Sequence, residues 1–388
     1  MARTVFRGGV VFDGTGADPS RVDVAVADGR IVDVGHDLDG EDAVDIDGRG
    51  LLPGLIDCHA HVALDGMRST DEEAIRSASR NAFAAITNLR ATLDAGVTTV
   101  RDAAGADAGY RDAIAAGEVA GPRLLVSLIQ LSPSAGPYDS RTPSGLDTWV
   151  PSAGIPRPTA DGPEALRAKV RELVQLGADV VKVFATGHWS MARHGAERSM
   201  FRDEELDAIV DEAHRLGVRV MAHAHGSAGA IAAARAGADS IEHGFLVDDD
   251  AIDAIAEAGA VLVPTLLASE GMAAEVVDRH RDAVGRAHRR GIPIAMGTDC
   301  PMKPHGSNLR ELELLVACGL TPAEALRSGT GGAADLLGLG DEIGRIAPGL
   351  VADLVVVDGD PLDVTGLSTR ICGVYRDGRR VGPSVPTH

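Results

Sequence analysis

Residues 3–52 alternate apolar and polar positions in short runs broken by turn residues: "TVFRGGVVFDG", "VDVAVADGRIVDVG" and "AVDIDGRGLLPG". A period of two is that of a half-buried strand, and "DGR" between two such runs marks a tight hairpin. The same style returns late in the chain, in "GRIAPGLVADLVVVDGDPL" and "ICGVYRDGRRVG". Neither stretch is long enough to bury a good core alone. The pattern therefore predicts one small β-sandwich domain built from both ends of the chain, residues 1–53 and 340–388.

Between them, over 54–339, apolar runs alternate with Ala-rich helical stretches. The strand candidates are "GLIDCHAHV", "VTTVRDA", "RLLVSLIQLS", "ADVVKVFATG", "VRVMAHAHG", "DSIEHG", "AVLVPTLL" and "IPIAMGTD". Helical stretches such as "NAFAAITNLRATLDAG", "GPEALRAKVRELVQLG", "DEELDAIVDEAHRLG" and "SAGAIAAARAG" fall between them and stop at glycine or a turn. Eight such units predict an α/β fold of the (β/α)8 TIM-barrel type, whose chemistry gathers at the C-terminal ends of the strands. An open doubly wound sheet is the competing arrangement, but no GxGxxG follows any strand to support it.

Composition narrows the picture. A chain of 388 residues with 45% apolar content supports a large core, and 3% aromatics means that Ala, Val and other small aliphatics fill it. The formal net charge of −20 argues against nucleic acid and anionic lipid as partners, since phosphate binding needs a basic surface. Cys58, Cys300, Cys318 and Cys372 form no CxxC pair and read as reduced thiols. With no apolar leader and no unbroken run of about 18 apolar residues, the sequence reads as a cytoplasmic protein.

The candidate chemistry sits at the strand ends. His59 and His61 in "DCHAHV" are two residues apart, so on a strand they share a face. "VMAHAHG" repeats the spacing with His223 and His225, "SIEHG" adds His243 and "AMGTDC" adds Asp299. In a barrel these ends converge, and imidazoles with a carboxylate at one mouth suit zinc or a similar cation. Lys182 lies mid-strand in "DVVKVF". Burial there lowers a lysine toward the neutral amine, which reacts with carbon dioxide to give a carbamate. Strand parity alone does not choose its face. His36, His214, His280 and His288 fall outside this pattern and read as solvated.

With these motifs and the tail "GRIAPGLVADLVVVDGDPL", nearly the whole chain resembles the amidohydrolase superfamily of metal-dependent hydrolases. It looks most like the branch that holds Xaa-Pro dipeptidases and imidazolonepropionase-type enzymes. The resemblance implies that His59, His61 and Asp299 bind one divalent metal, most simply zinc, and His223 and His243 a second. It implies that Lys182, as its carbamate, bridges the two. A hydroxide shared by the metals would attack an amide carbonyl, Asp299 would shuttle the proton, and His225 would stabilise the oxyanion. The partner implied is a small-molecule amide: a dipeptide ending in Pro or a basic residue, or an N-acyl amino acid. The family also implies a homo-oligomer. Substrate contacts are expected from His188, Trp189, Arg193, Tyr138, Arg141 and His305 on the loops after the strands. Where dipeptidase-like relatives tend to carry Gly-Gly pairs, this chain reads "PSAG" and "TGHW". The competing functions are a mononuclear cyclic-amide hydrolase, a lactone or ester hydrolase, and a non-catalytic scaffold.

Overall fold

The computed structural model describes residues 3–64, 77–152, 154–188 and 195–382. Seven strands precede the first histidine pair: β1 (Thr4–Arg7), β2 (Val10–Val11), β3 (Ser20–Arg21), β4 (Asp23–Ala27), β5 (Arg30–Gly35), β6 (Asp42–Asp45) and β7 (Arg49–Pro53). Then come β8 (Leu55–Ala60), β9 (Val97–Asp102), β10 (Arg123–Val126), β11 (Gln130–Leu131), β12 (Val180–Phe184), β13 (Arg219–Gly226), β14 (Ser240–Leu246) and β15 (Val261–Val263). The chain finishes with β16 (Leu354–Asp358), β17 (Ile371–Arg376) and β18 (Arg379–Arg380).

The two ends do form one small β domain. One sheet runs β5-β4-β1-β6 and the other β18-β17-β16-β7-β2-β3. Strand β7 therefore lies between β2 from its own side of the chain and β16 from the far side. Phe6, Val24 and Ile31 of the first sheet share a core with Leu51, Leu354, Val356 and Tyr375 of the second. The "DGR" signals hold at both hairpins: Asp28 and Gly29 have φ of 50° and 79°, and Asp377 and Gly378 have 51° and 70°. Two successive positive φ values are what a two-residue turn matched to strand twist requires.

Strands β8 to β15 are parallel to their neighbours, in a three-stranded sheet β10-β9-β8 and a five-stranded sheet β11-β12-β13-β14-β15. Helices Ala78–Asp94, Pro163–Gln175, Asp203–Arg215 and Ser227–Ala236 fall where the sequence pattern puts them. Two expected strands differ. "RLLVSLIQLS" is split into β10 and β11, because Leu128 turns through the left-handed region at φ 67°. "IPIAMGTD" forms no continuous strand. It touches β15 through the bridge Leu262–Ile294 and β8 through Ala60–Cys300, with Cys58 N–H donating to Met296 O at 2.8 Å. Between these bridges Asp299 adopts φ 56°. No helix among the described residues is long and apolar enough to cross a membrane.

Candidate metal centre

The C-terminal ends of β8, β12, β13 and β14 and the turn at Asp299 bring their polar side chains to one place. His59, His61, Lys182, His223, His225 and His243 are all buried there. Lys182 turns inward, which parity left open: its Nζ lies 3.4 Å from His59 Nε2. It sits in register with Gln130 on one side and Met221 on the other. Burial lowers its ammonium to about 8, against the opposing pull of Glu242 and Asp299.

Hydrogen bonds fix which ring nitrogens face the centre. His61 Nδ1 is 3.0 Å from the Ala104 carbonyl, which only accepts, so Nδ1 carries the hydrogen. His59 Nδ1 is 2.6 Å from Glu242 Oε2. Burial would raise the Glu242 carboxyl, but the Arg101 guanidinium and the bond to His59 outweigh it and hold the group at about 2. Glu242 is thus an ionised acceptor, and His59 Nδ1 also donates. Each ring therefore turns its Nε2 toward Asp299, whose Oδ1 lies 3.5 Å from His59 and 3.2 Å from His61. Burial would raise Asp299 too, yet the His61 hydrogen bond and the charges around it bring it to about 2.

Acceptors gathered in this way need something positive near them. Lys182 Nζ beside His59 answers part of this, as does a proton on His61, which burial opposes but Asp299 favours. A divalent cation answers all of it, and neutral imidazoles with a carboxylate are its usual donors. A second set of donors adjoins the first. His223, His225 and His243 place ring nitrogens within 4.8 Å of one another, and His59, His243 and Asp299 do the same with two ring nitrogens and a carboxylate oxygen. Burial pushes His223, His225 and His243 well below the usual imidazole range, so they stay neutral. His223 Nε2 is buried and finds no hydrogen-bond partner among the described residues. The donor set fits a divalent metal, and this orphaned nitrogen is where such an ion would relieve an unmet bond.

Several supporting residues escaped the sequence reading. Arg101 donates from Nε to Cys58 O at 2.6 Å, from one terminal nitrogen to Ser240 Oγ at 3.1 Å and from the other to Glu242 at 3.0 Å. A lone arginine in the apolar run "VTTVRD" carried the same signal that singled out Lys182. Asp57 accepts from the backbone N–H of His59 and Thr298 and from Asn308, tying the His59 and Asp299 segments together. His280 corrects an expectation. It is fully buried, its Nε2 donates to His243 O at 3.0 Å, and Ser269 Oγ meets its Nδ1 at 3.1 Å. That bond braces the backbone of His243, which adopts φ 72°.

The expected substrate contacts divide. Tyr138 and His188 line the small pocket over the centre, with Gln130, Phe184 and Met302. Arg141 spends its guanidinium on Asp139, two residues away in its own loop, and does not line that pocket. His305 lies outside it as well, against Thr92 Oγ1 at 3.1 Å. Trp189 and Arg193 lie outside the described residues.

Comparison with known proteins identifies the family. The model of the amidohydrolase family matches residues 51–381. Ochratoxinase of Aspergillus niger is 32% identical over 81% of this chain and 71% of its own length. Imidazolonepropionase of Paracoccus denitrificans is 30% identical over 81% of this chain and 80% of its own. A crystal structure of a prolidase complexed with N-methylphosphonate-L-proline superposes with a TM-score of 0.88 at 33% identity, covering 98% of this chain and 99% of that one. The paired histidines, the buried lysine and a match across most of the sequence make this chain a member of the amidohydrolase family, hydrolases that act on carbon–nitrogen bonds.

Proposed function

We propose that this chain hydrolyses a small linear amide at a dinuclear metal centre. In this reading His59, His61 and Asp299 hold one divalent ion, zinc in the simplest case, and His223 and His243 hold a second. Lys182, as its carbamate, would help to hold both. The observation that carries the reading is the gathering of His59 Nε2 and His61 Nε2 on the Asp299 carboxylate, at 3.5 and 3.2 Å, beside the inward Lys182 and the partnerless His223 Nε2. Divalent ions bound there supply water acidic enough to attack at neutral pH and polarise the carbonyl.

The chain's own residues do the rest. Asp299, ionised at about 2, is free to take a proton from the attacking water and deliver it to the leaving nitrogen. His225 is placed beside His223 and His243 to steady the developing oxyanion. Burial of the centre strengthens each of these interactions. The architecture supports the reading if β10 and β11 count as one broken strand and residues 294–300 as the eighth. The bridges at Ile294 and Cys300 then close the two parallel sheets into one barrel over 54–339, with 1–53 and 340–388 as the accessory domain.

The imidazolonepropionase relative favours a second reading, a mononuclear cyclic-amide hydrolase. The inward Lys182 weighs against it, since that chemistry has no use for a bridging lysine. The test is a hydrolysis screen on metal-reconstituted protein, read by mass spectrometry, over Xaa-Pro and Xaa-Arg dipeptides, N-acyl amino acids, cyclic amides and lactones. Cleavage of linear amides, with at least a hundredfold loss in Lys182→Ala, is the expected result. Cleavage of cyclic amides alone, undiminished in Lys182→Ala, would overturn the proposal.

A further inference from the structure

The pocket over the candidate centre encloses only about 100 Å³. That suits the reacting amide and a few atoms beyond it, so a bulky flanking group needs further space. Next door is a far larger cavity of about 630 Å³, a volume within the roughly 300–1,000 Å³ of small-molecule sites. Leu64 lines both spaces and is the wall between them.

That wall is held in place. Leu64 follows His61 by three residues, and its N–H donates to His61 O at 3.2 Å. Asn88, on helix Ala78–Asp94, donates to the carbonyls of Val62 and Leu64 at 3.0 and 2.8 Å. A Cβ at Gly105 would lie 3.4 Å from Leu64 Cδ2, so the leucine rests close against that glycine. The cavity beyond lies between helices Ala78–Asp94 and Ala108–Ala115 and is faced mainly by Ala63, Ile86, Leu89 and Ile155. Among the described residues its ionisable groups are Asp107, which caps the second helix by accepting from Gly109 N–H, and Tyr110. A carboxylate at the rim disfavours an anionic tail, and the carbon lining favours an uncharged chain.

We propose that this cavity is a substrate subsite for an uncharged apolar chain, with Leu64 as the partition between it and the scissile amide. The proposal rests on the reading of the centre given above and names its substrate class: amides that carry a bulky aliphatic or aromatic group. The chain can belong to the acyl side of the amide or to the side chain of the amine, and two substrate series separate these. One runs from N-acetyl to N-octanoyl glycine, the other from N-acetylglycine to N-acetylnorleucine.

Full seating of one methylene is worth about fourfold in affinity, so even partial seating makes kcat/KM rise at least about tenfold along the productive series. Ala113 lines the cavity from the second helix and Ala82 from the first. Ala113→Phe, or Ala82→Phe if the first variant does not fold, fills the space. The expected result is loss of the chain-length dependence with N-acetylglycine turnover unchanged. Small amides hydrolysed with no dependence on chain length, or with the same dependence in the filled variant, would overturn the subsite and leave the proposed function standing. If no amide is hydrolysed, the proposed function fails, and calorimetric titration with 1-hexanol judges the cavity alone. Binding to the wild type that is lost in Ala113→Phe supports the cavity as an apolar-chain site, and equal or absent binding in both overturns it.

Discussion

Replacing Glu242 by Gln removes the one carboxylate that both orients His59 and neutralises Arg101. Arg101 is buried, so the change strands a charge in the interior and should cost about 3–5 kcal/mol, read from urea midpoints at neutral pH. The bond to His59 also fixes its tautomer, so metal affinity should fall about 10–100-fold, measured by equilibrium dialysis with metal analysis. The sign of the pH dependence follows from the depressed carboxyl. Its folded value near 2 lies below the ordinary 4.5, so its contribution is full above 4.5 and is lost as pH falls toward 2. Glu242→Gln should therefore flatten the acid limb of the metal-free stability curve between those values. Most ligand candidates were legible because a buried imidazole needs a reason, and repeated spacing supplied one. Their supporters were not. Glu242 stands beside His243 in "SIEHG", on the opposite face by strand parity, and only the left-handed backbone of His243 brings both inward. A non-glycine residue at positive φ leaves no mark in a sequence.

Gly297 shows how closely the segments approach where the last strand was expected. A Cβ there would lie 2.4 Å from Val263 Cγ1 and 2.9 Å from His59 Cβ, wedged between β15 and β8. Gly297→Ala should cost about 1–3 kcal/mol by overpacking and push His59 from its place. Thermal unfolding checks the first effect and metal content per protein the second. At this scale the alternation of apolar runs with helical stretches located the parallel strands and their order. It did not foresee the break between β10 and β11 or the missing ladder over 294–300. The first follows from a single residue, Leu128, leaving the extended region, and periodicity is blind to such a step.

Across the whole molecule, the two ends of the chain are joined by Phe6 and Tyr375, whose rings meet edge to face at 4.9 Å. Phe6→Ala should lower stability by about 3–5 kcal/mol while leaving kcat and KM of the folded fraction unchanged, because Phe6 lies in the core of the small domain. Denaturation and steady-state kinetics on one preparation test both halves of that statement. The joining of the ends was legible because neither end had enough apolar residues to close a core. The register that joins them was not, since β7 offers the same run "RGLLP" to either neighbour.

That sandwiched strand also sets an order of events. The edge of β7 that faces β16 waits for residues roughly 300 positions further along the chain, a very long loop to close. During synthesis the parallel strands that follow β7 emerge first, while Leu51 and Leu52 stay half covered. The small domain can be sealed only after nearly everything else has been made. An arrested chain that stops short of β16 would carry an open, apolar sheet edge, the kind of surface that chaperones bind and that seeds aggregation.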